Sequence, residues 1–229
     1  MDVLLHEATD PSAPRGYRIH FASRLRQLGK KADPETLALL ATSTRHTLNR
    51  NPAGAPDLAH ALLSIDDSPQ SIESVTRLLE TAPDDTSAAG FLSALTLSNA
   101  PDAKQALLDH TELLTTNPDQ HPASLVTALP TLARIPEFDV EPILERVLAK
   151  TTHTRVYEAT IASALARPPG KASLATLQLA HERSSQFDTA TQARLTARLR
   201  SGLIQWQRQA VQLPSSTSSA IDSLINSLP

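Results

Sequence analysis

The chain has 229 residues, of which 40% are hydrophobic, and this content excludes a wholly disordered protein. It has no cysteine, which excludes disulfides and thiolate sites, and its 3% of aromatic residues favours thin layers between helices over a β-sandwich. The net charge of −3 at pH 7 argues against a chain built to hold nucleic acid.

Amphipathic segments rich in Leu and Ala follow one another along the chain, and Pro, Asp or Ser marks nearly every join between them. Their apolar residues recur at helical spacing, as Ile72, Val75 and Leu79 do, rather than alternating as in a strand. The sequence therefore predicts twelve helices, at 17–28, 34–48, 56–65, 69–81, 86–98, 101–116, 122–135, 140–151, 153–167, 172–184, 188–212 and 217–228.

Proline and short polar side chains mark the predicted helix starts. Pro34, Pro69, Pro101 and Pro122 each stand at a first helical position, where the fixed φ of proline is already helical. An Asp or Ser before a helix can cap it by accepting a backbone N–H bond. The expected caps are Asp33, Ser68, Asp85, Asp139 and Asp188.

Pairs of predicted helices recur about every 30 to 40 residues. First helices open at Pro34, Pro69, Pro101 and Val140, and the second helices carry an Ala followed a few residues later by Leu. Small residues let neighbouring helices approach closely, while Leu fills the layer between pairs. This period is typical of stacked helical hairpins.

The block Thr154–Arg167 resembles the second helix of a HEAT repeat, with Arg155 at the position where the family places an Arg. The region 17–212 is similar to HEAT/armadillo-type proteins, whereas tetratricopeptide repeats require more aromatic residues. The resemblance implies an all-α fold, a right-handed α-solenoid of about five to six antiparallel helix pairs. We expect this solenoid domain to span 1–213.

Residues 214–229 are expected to form a Ser/Pro linker and a short final helix. The apolar residues of this helix are Ile221, Leu224, Ile225 and Leu228. They predict that it folds back as a cap on the array, or else that it docks onto a partner.

Charge is segregated along the chain. Residues 1–50 hold 8 basic and 5 acidic residues, residues 51–149 hold 4 and 15, and residues 150–229 hold 9 and 4. In a solenoid the sequence order becomes spatial order, which would give an acidic middle between basic ends. The alternatives are a basic ligand on the middle, head-to-tail self-association, or solvated faces of drifting composition.

The long eleventh helix carries the candidate partner-binding residues. Arg194, Arg198 and Arg208 lie on one side of it, beside an apolar stripe that includes Trp206. An acidic or phosphate group of a partner would suit these arginines, although a solvated face is the simpler interpretation. Nucleic acid is disfavoured, because the middle of the chain is acidic and Trp206 is the only tryptophan.

The sequence contains no recognisable catalytic or metal motif. None of the eight histidines forms an HExxH pair, and no phosphate loop or nucleophile elbow is present. His60 and His110 fall on apolar faces and are expected to lie in the core. We therefore expect no catalytic, cofactor or metal site.

Together these patterns favour a non-enzymatic scaffold that presents a concave helical-repeat surface to a protein partner. The alternative is a HEAT-like enzyme, such as a DNA-lesion glycosylase or a chromophore lyase, whose pocket would need a buried carboxylate and flanking aromatics. The chain shows no signal peptide and no run of 18 apolar residues, so we expect a soluble protein, with the cytoplasm favoured as its compartment.

Overall fold

A computed structural model describes residues 15–50, 55–209 and 214–228, and these residues form helices and connecting turns without any β-strand. All twelve predicted helices are confirmed, with ends that differ from the predicted ones by three residues or fewer where the structure describes them. The helices are α1 (Arg15–Gly29), α2 (Pro34–Arg50), α3 (Ala55–Leu63), α4 (Pro69–Glu80), α5 (Asp85–Leu95), α6 (Pro101–Leu114), α7 (Pro122–Leu132), α8 (Glu141–Lys150), α9 (Thr154–Ala166), α10 (Lys171–Arg183), α11 (Thr189–Gln209) and α12 (Ser215–Ser227).

Two of the predicted caps are confirmed. Asp33 Oδ1 accepts the backbone N–H of Thr36 at 2.9 Å, and Asp188 Oδ1 accepts that of Thr191 at 3.0 Å. These backbone hydrogen bonds lower the pKa of both carboxyls. Each cap satisfies an N–H group that has no partner within its own helix.

The cap predicted at Asp85 is wrong by one residue. α5 begins at Asp85, and the residue before it, Asp84, accepts the backbone N–H of Ser87 at 2.7 Å. Asp85 instead adds a negative charge to the first turn, where it complements the helix dipole.

The caps predicted at Ser68 and Asp139 are also wrong. The Ser68 hydroxyl donates to Asp66 Oδ2 at 2.9 Å and therefore makes no capping bond to α4. The residue that precedes α8 is Val140, and no side chain caps this helix.

Contacts divide the chain into two compact units, Met1–His110 and Thr111–Pro229, with the boundary inside α6. In the first unit α3 packs against α1 and α5, while α2 packs against α3 and α4, and α4 against α3 and α5. Among the side chains that the structure describes, the core of this unit is aliphatic apart from Phe91, and its buried members include Leu25, Leu40, Leu48, Leu58, Leu62, Val75 and Leu92.

The second unit shows the same pattern, in which a helix packs against the helix two positions further along the chain. α9 packs against both α7 and α11, and α10 packs against both α8 and α12. α9 also contacts α8 and α10, and α8, α9 and α10 each touch both the next helix and the one after it. Its core includes Leu125, Leu129, Val147, Leu148, Val156, Tyr157, Ile161, Leu177, Leu195 and Leu203.

The final helix, α12, folds back within the second unit. It packs against α11 and α10, and Ile221, Leu224 and Leu228 are buried there. Two polar contacts fix it, because Arg200 donates to the Leu228 carbonyl at 2.7 Å and Gln207 donates to Asp222 Oδ1 at 2.6 Å. The helix begins at Ser215, within the segment expected to be a linker, and its role as the cap of a repeat array stays a prediction.

The predicted apolar faces lie largely in the core: Ile72, Val75 and Leu79 are buried, whereas Ile225 of the final helix is only half-buried. Tyr157, Ile161 and Ala164 are buried, but Leu165 is only half-buried. His60 and His110 were expected in the core but are only half-buried, and the burial of His60 lowers its pKa. Among the helices that the structure describes, none combines the length and the apolar character that crossing a membrane requires.

Candidate functional site

The helix that carries the candidate residues, α11, is divided into two faces. Leu195, Leu199, Leu203 and Trp206 are buried at every third or fourth position, which places them on one stripe against the rest of the second unit. The opposite face is left to solvent, and the Asp188 cap fixes where the helix begins.

Trp206 belongs to the interior and not to the surface. It is 3% exposed, and its indole N–H donates to the Leu165 carbonyl at 3.0 Å. The buried N–H therefore has a partner, as buried tryptophans require. Trp206 also lines the cleft between α9 and α11, so its part in binding a partner stays a prediction.

The three predicted arginines lie at the surface of α11. The Arg194 side chain is 62% exposed, and its Nε lies 2.7 Å from Glu158 Oε1 of α9. Arg198 and Arg208 are exposed and make no hydrogen bond or ion pair with any residue that the structure describes. We call Arg194, Arg198 and Arg208 the α11 arginine face.

A cleft of about 590 Å³ separates α9 from α11 beside this face. Ala162 and Ala166 of α9 and Gly202 of α11 leave it open, and Arg198 and Gln205 lie at its edge. A Cβ at Gly202 would stand 2.4 Å from the Leu165 Cδ1, so glycine permits the close approach of the two helices. None of the residues that line this cleft is acidic.

A second cleft, of about 700 Å³, lies between the end of α10 and the first half of α11. His181 and Arg200 line it, and the Nδ1 atom of His181 is buried without a hydrogen-bond partner. Gln192 shapes the cleft because its Nε2 donates to the carbonyls of Ser185 and Phe187, at 3.2 Å and 2.6 Å.

One carboxylate holds the start of α9. Asp119 accepts hydrogen bonds from the hydroxyls of Thr151 and Thr152 and from the backbone N–H groups of Thr152 and His153. Partial burial works to raise the pKa of Asp119, but these hydrogen bonds outweigh it and lower the pKa. Asp119 was not singled out from the sequence, since its partners lie more than 30 residues away.

One arginine holds the end of α9. Arg167 Nε lies 3.3 Å from Glu141 Oε1, and the two side chains are 13% and 11% exposed. The remaining guanidinium nitrogens donate to the carbonyls of Ala133, Ile135 and Phe138 at 3.2 to 3.4 Å. The guanidinium therefore ties the loop after α7 and the start of α8 to the end of α9.

A buried tyrosine in contact with a half-buried phenylalanine joins α9 to the end of α10. The Tyr157 hydroxyl donates to the Ala180 carbonyl at 2.5 Å, and the ring meets Phe187 edge to face with centroids 4.8 Å apart. Burial raises the pKa of Tyr157, so the hydroxyl stays a neutral donor at ordinary pH.

Within residues 15–50, 55–209 and 214–228, no three His, Asp or Glu side chains converge as the ligands of a metal ion would. No protein-family model, no curated protein and no solved structure matches the chain. The role of the α11 arginine face is therefore argued from its own geometry.

Proposed function

We propose that this protein is a non-enzymatic interaction scaffold, built as a right-handed α-solenoid of about five to six helix pairs of the HEAT type. The second helices of the pairs would form a concave face that binds a protein partner. The observation that carries the proposal is the packing rule within each unit, where helices contact the next helix and the one after it.

The packing rule supports the proposal because it produces rows of helices. In the second unit the second helices α7, α9 and α11 follow one another, and so do α8, α10 and α12. A repeat array buries its core between successive pairs and leaves the outer side of each row free for binding. α9 and α11, with the cleft between them, supply such a surface.

The chemistry of this surface favours a partner with acidic side chains. Arg198 and Arg208 are exposed without partners among the described residues, and Arg194 already binds the carboxylate of Glu158. Charge-assisted hydrogen bonds to carboxylates are the contacts that arginine makes best. The hydrogen bonds of Asp119 and the ion pair of Arg167 hold the two ends of α9, which supports a surface of defined shape.

Affinity capture with variants tests the proposal. Immobilised wild-type chain, the double variant Arg198→Glu/Arg208→Glu and the control Lys30→Glu/Lys31→Glu are exposed to extract of the source cells. The control makes the same change of charge at two exposed lysines near the start of the chain, far in sequence from α11. We expect proteins retained by the wild type and the control but lost from the arginine variant. Identical retention by all three chains, or none by any, would contradict the proposal.

A further inference from the structure

We propose that the partner of the α11 arginine face is a second copy of this chain, which binds through exposed acidic side chains along α4. Copies would then associate head to tail. This inference rests on the proposed function, because it names the occupant of the same surface.

The two units carry opposite charge in the regions concerned. Residues 55–110 of the first unit hold 9 acidic and 2 basic residues, whereas residues 150–229 of the second hold 9 basic and 4 acidic ones. The net charge of the whole chain is only −3, so the overall repulsion between copies is weak. Opposite patches on a nearly neutral chain favour association between unlike ends.

The acidic side chains along α4 are available to a second copy. Asp67, Glu73 and Glu80 are exposed and make no hydrogen bond or ion pair with the residues that the structure describes. Glu73 and Glu80 stand two helical turns apart on one side of α4, and the exposed Arg77 lies between them. We call Asp67, Glu73 and Glu80 the α4 acidic edge.

The basic side is the longer of the two and spans the acidic pair. Arg198 and Arg208 are about 15 Å apart along α11, and Glu73 and Glu80 are about 10 Å apart along α4. The ion pair between Arg194 and Glu158 shows that a carboxylate on a neighbouring helix reaches this face of α11 at 2.7 Å.

The final helix closes the neighbouring apolar surface. α12 places Ile221, Leu224 and Leu228 inward, and its exposed residues are polar apart from Ala220, with Ser216, Ser219 and Asn226 among them. Terminal elements of repeat arrays carry such polar outer faces, which prevent further stacking. The contact of a second copy with this region is therefore expected to be charged rather than apolar.

A contact between two different faces of identical chains does not close on itself after two copies. Such heterologous contacts produce rings or open filaments rather than a fixed dimer. We therefore expect association without a single stoichiometry, which grows with protein concentration and weakens with salt.

Sedimentation velocity of the full chain tests this inference. The wild type is compared over a hundredfold range of concentration, at low and at high NaCl, with two neutralised variants. One is Arg198→Gln/Arg208→Gln and the other is Glu73→Gln/Glu80→Gln. The control is Lys30→Gln/Lys31→Gln, and circular dichroism checks that every variant is folded.

The expected results differ for each sample. The wild type and the control should give weight-average sedimentation coefficients that rise with concentration at low salt, with association weakened about tenfold or more at high salt. Each neutralised variant alone should stay monomeric. An equimolar mixture of the two should form a discrete 1:1 dimer, because one variant keeps the α4 acidic edge and the other keeps the α11 arginine face.

Three results would overturn the inference: a wild type that is monomeric throughout, association that persists in Arg198→Gln/Arg208→Gln, or variants that do not combine when mixed. If the wild type is monomeric while affinity capture still depends on Arg198 and Arg208, only self-association fails and the proposed function stands. If capture is also independent of both arginines, the proposed function fails as well.

Discussion

The helices inside the first unit and those inside the second unit are held together by different kinds of contact. In the first unit the helices meet mainly through aliphatic side chains, and a polar cluster forms where Asp66 accepts from Ser68 and Ser71 and lies 3.9 Å from Arg45. In the second unit the polar side chains that join distant segments make several such bonds each, as Asp119 and Arg167 do at the two ends of α9.

The difference shows where this fold needs exact positions. Apolar packing tolerates small shifts of one helix against another, whereas a carboxylate or guanidinium with several fixed partners does not. In the second unit the polar contacts of Asp119 and Arg167 hold α9, the helix that lines the candidate cleft. Substitutions that remove these polar contacts, set against one in the aliphatic core of the first unit, show how much each kind of contact contributes.

The largest effect is expected for Arg167→Met. This change leaves Glu141 buried without its cation and removes the donor to three carbonyls. Breaking a buried ion pair from one side costs about 3–5 kcal/mol. Urea unfolding measures this loss, and Arg155→Met, at an exposed position, serves as the control with an expected change within about 0.5 kcal/mol. A decrease of less than about 1 kcal/mol in the free energy of unfolding for Arg167→Met would show that the contacts of Arg167 do not stabilise the unit.

In the first unit, the aliphatic core should dominate. Leu62 is fully buried in α3, and Leu62→Ala should cost about 2–5 kcal/mol through lost burial and a cavity. Leu39→Ala, at a residue that is 62% exposed, is the matched control and should cost far less. Equal midpoints of urea unfolding for the two variants would refute the assigned core.

Asp119→Asn should remove a smaller amount of stability, about 1–3 kcal/mol, because an amide replaces a charged acceptor. The hydrogen bonds lower the pKa of Asp119 below the ordinary value of 3.8, so its contribution is present above that value and is lost as pH falls through the lowered pKa. The difference in stability between wild type and variant should therefore shrink as the pH falls below about 4. A difference that is constant from pH 6 to pH 2 would contradict the carboxylate's role.

The smallest effect is expected at the helix caps. Asp84→Ala removes the hydrogen bond that the carboxylate accepts from the Ser87 N–H and should lower the melting temperature slightly. Asp139→Ala, at the residue that failed to cap α8, should change thermal stability by less than about 0.5 kcal/mol. If the two substitutions have the same effect on the melting temperature, the assigned cap is not a stabilising contact.

The parts of the fold that depend only on residues close together in the sequence could be predicted. Proline at a helix start acts on its own backbone, and the spacing of Ile72, Val75 and Leu79 reveals the buried face of a single helix. The cap predicted at Ser68 does not form, and the Ser68 hydroxyl donates instead to Asp66, two residues earlier. That choice depends on the path of the loop rather than on the residue type.

The contacts around the candidate site could not be predicted in this way. The partners of Arg167 lie 26 to 34 residues earlier in the chain, and nothing in the local pattern joins them. Trp206 lies on the same helix as the arginines, and only its contact with Leu165 on α9 shows that it is buried. The exposed positions of Arg194, Arg198 and Arg208 agree with the helical spacing, because that spacing is a property of one helix.

Hydrogen exchange of the full chain carrying Ile161→Ala tests most directly whether each helix depends on its immediate neighbours. Ile161 is fully buried in α9, and its truncation should cost about 2–5 kcal/mol. We expect amide protection to fall most in α9, to fall next in α7, α8, α10 and α11, and to remain close to the wild-type value in α3 and α4. An equal loss of protection across all of these helices would show a single cooperative core and contradict the stacked arrangement.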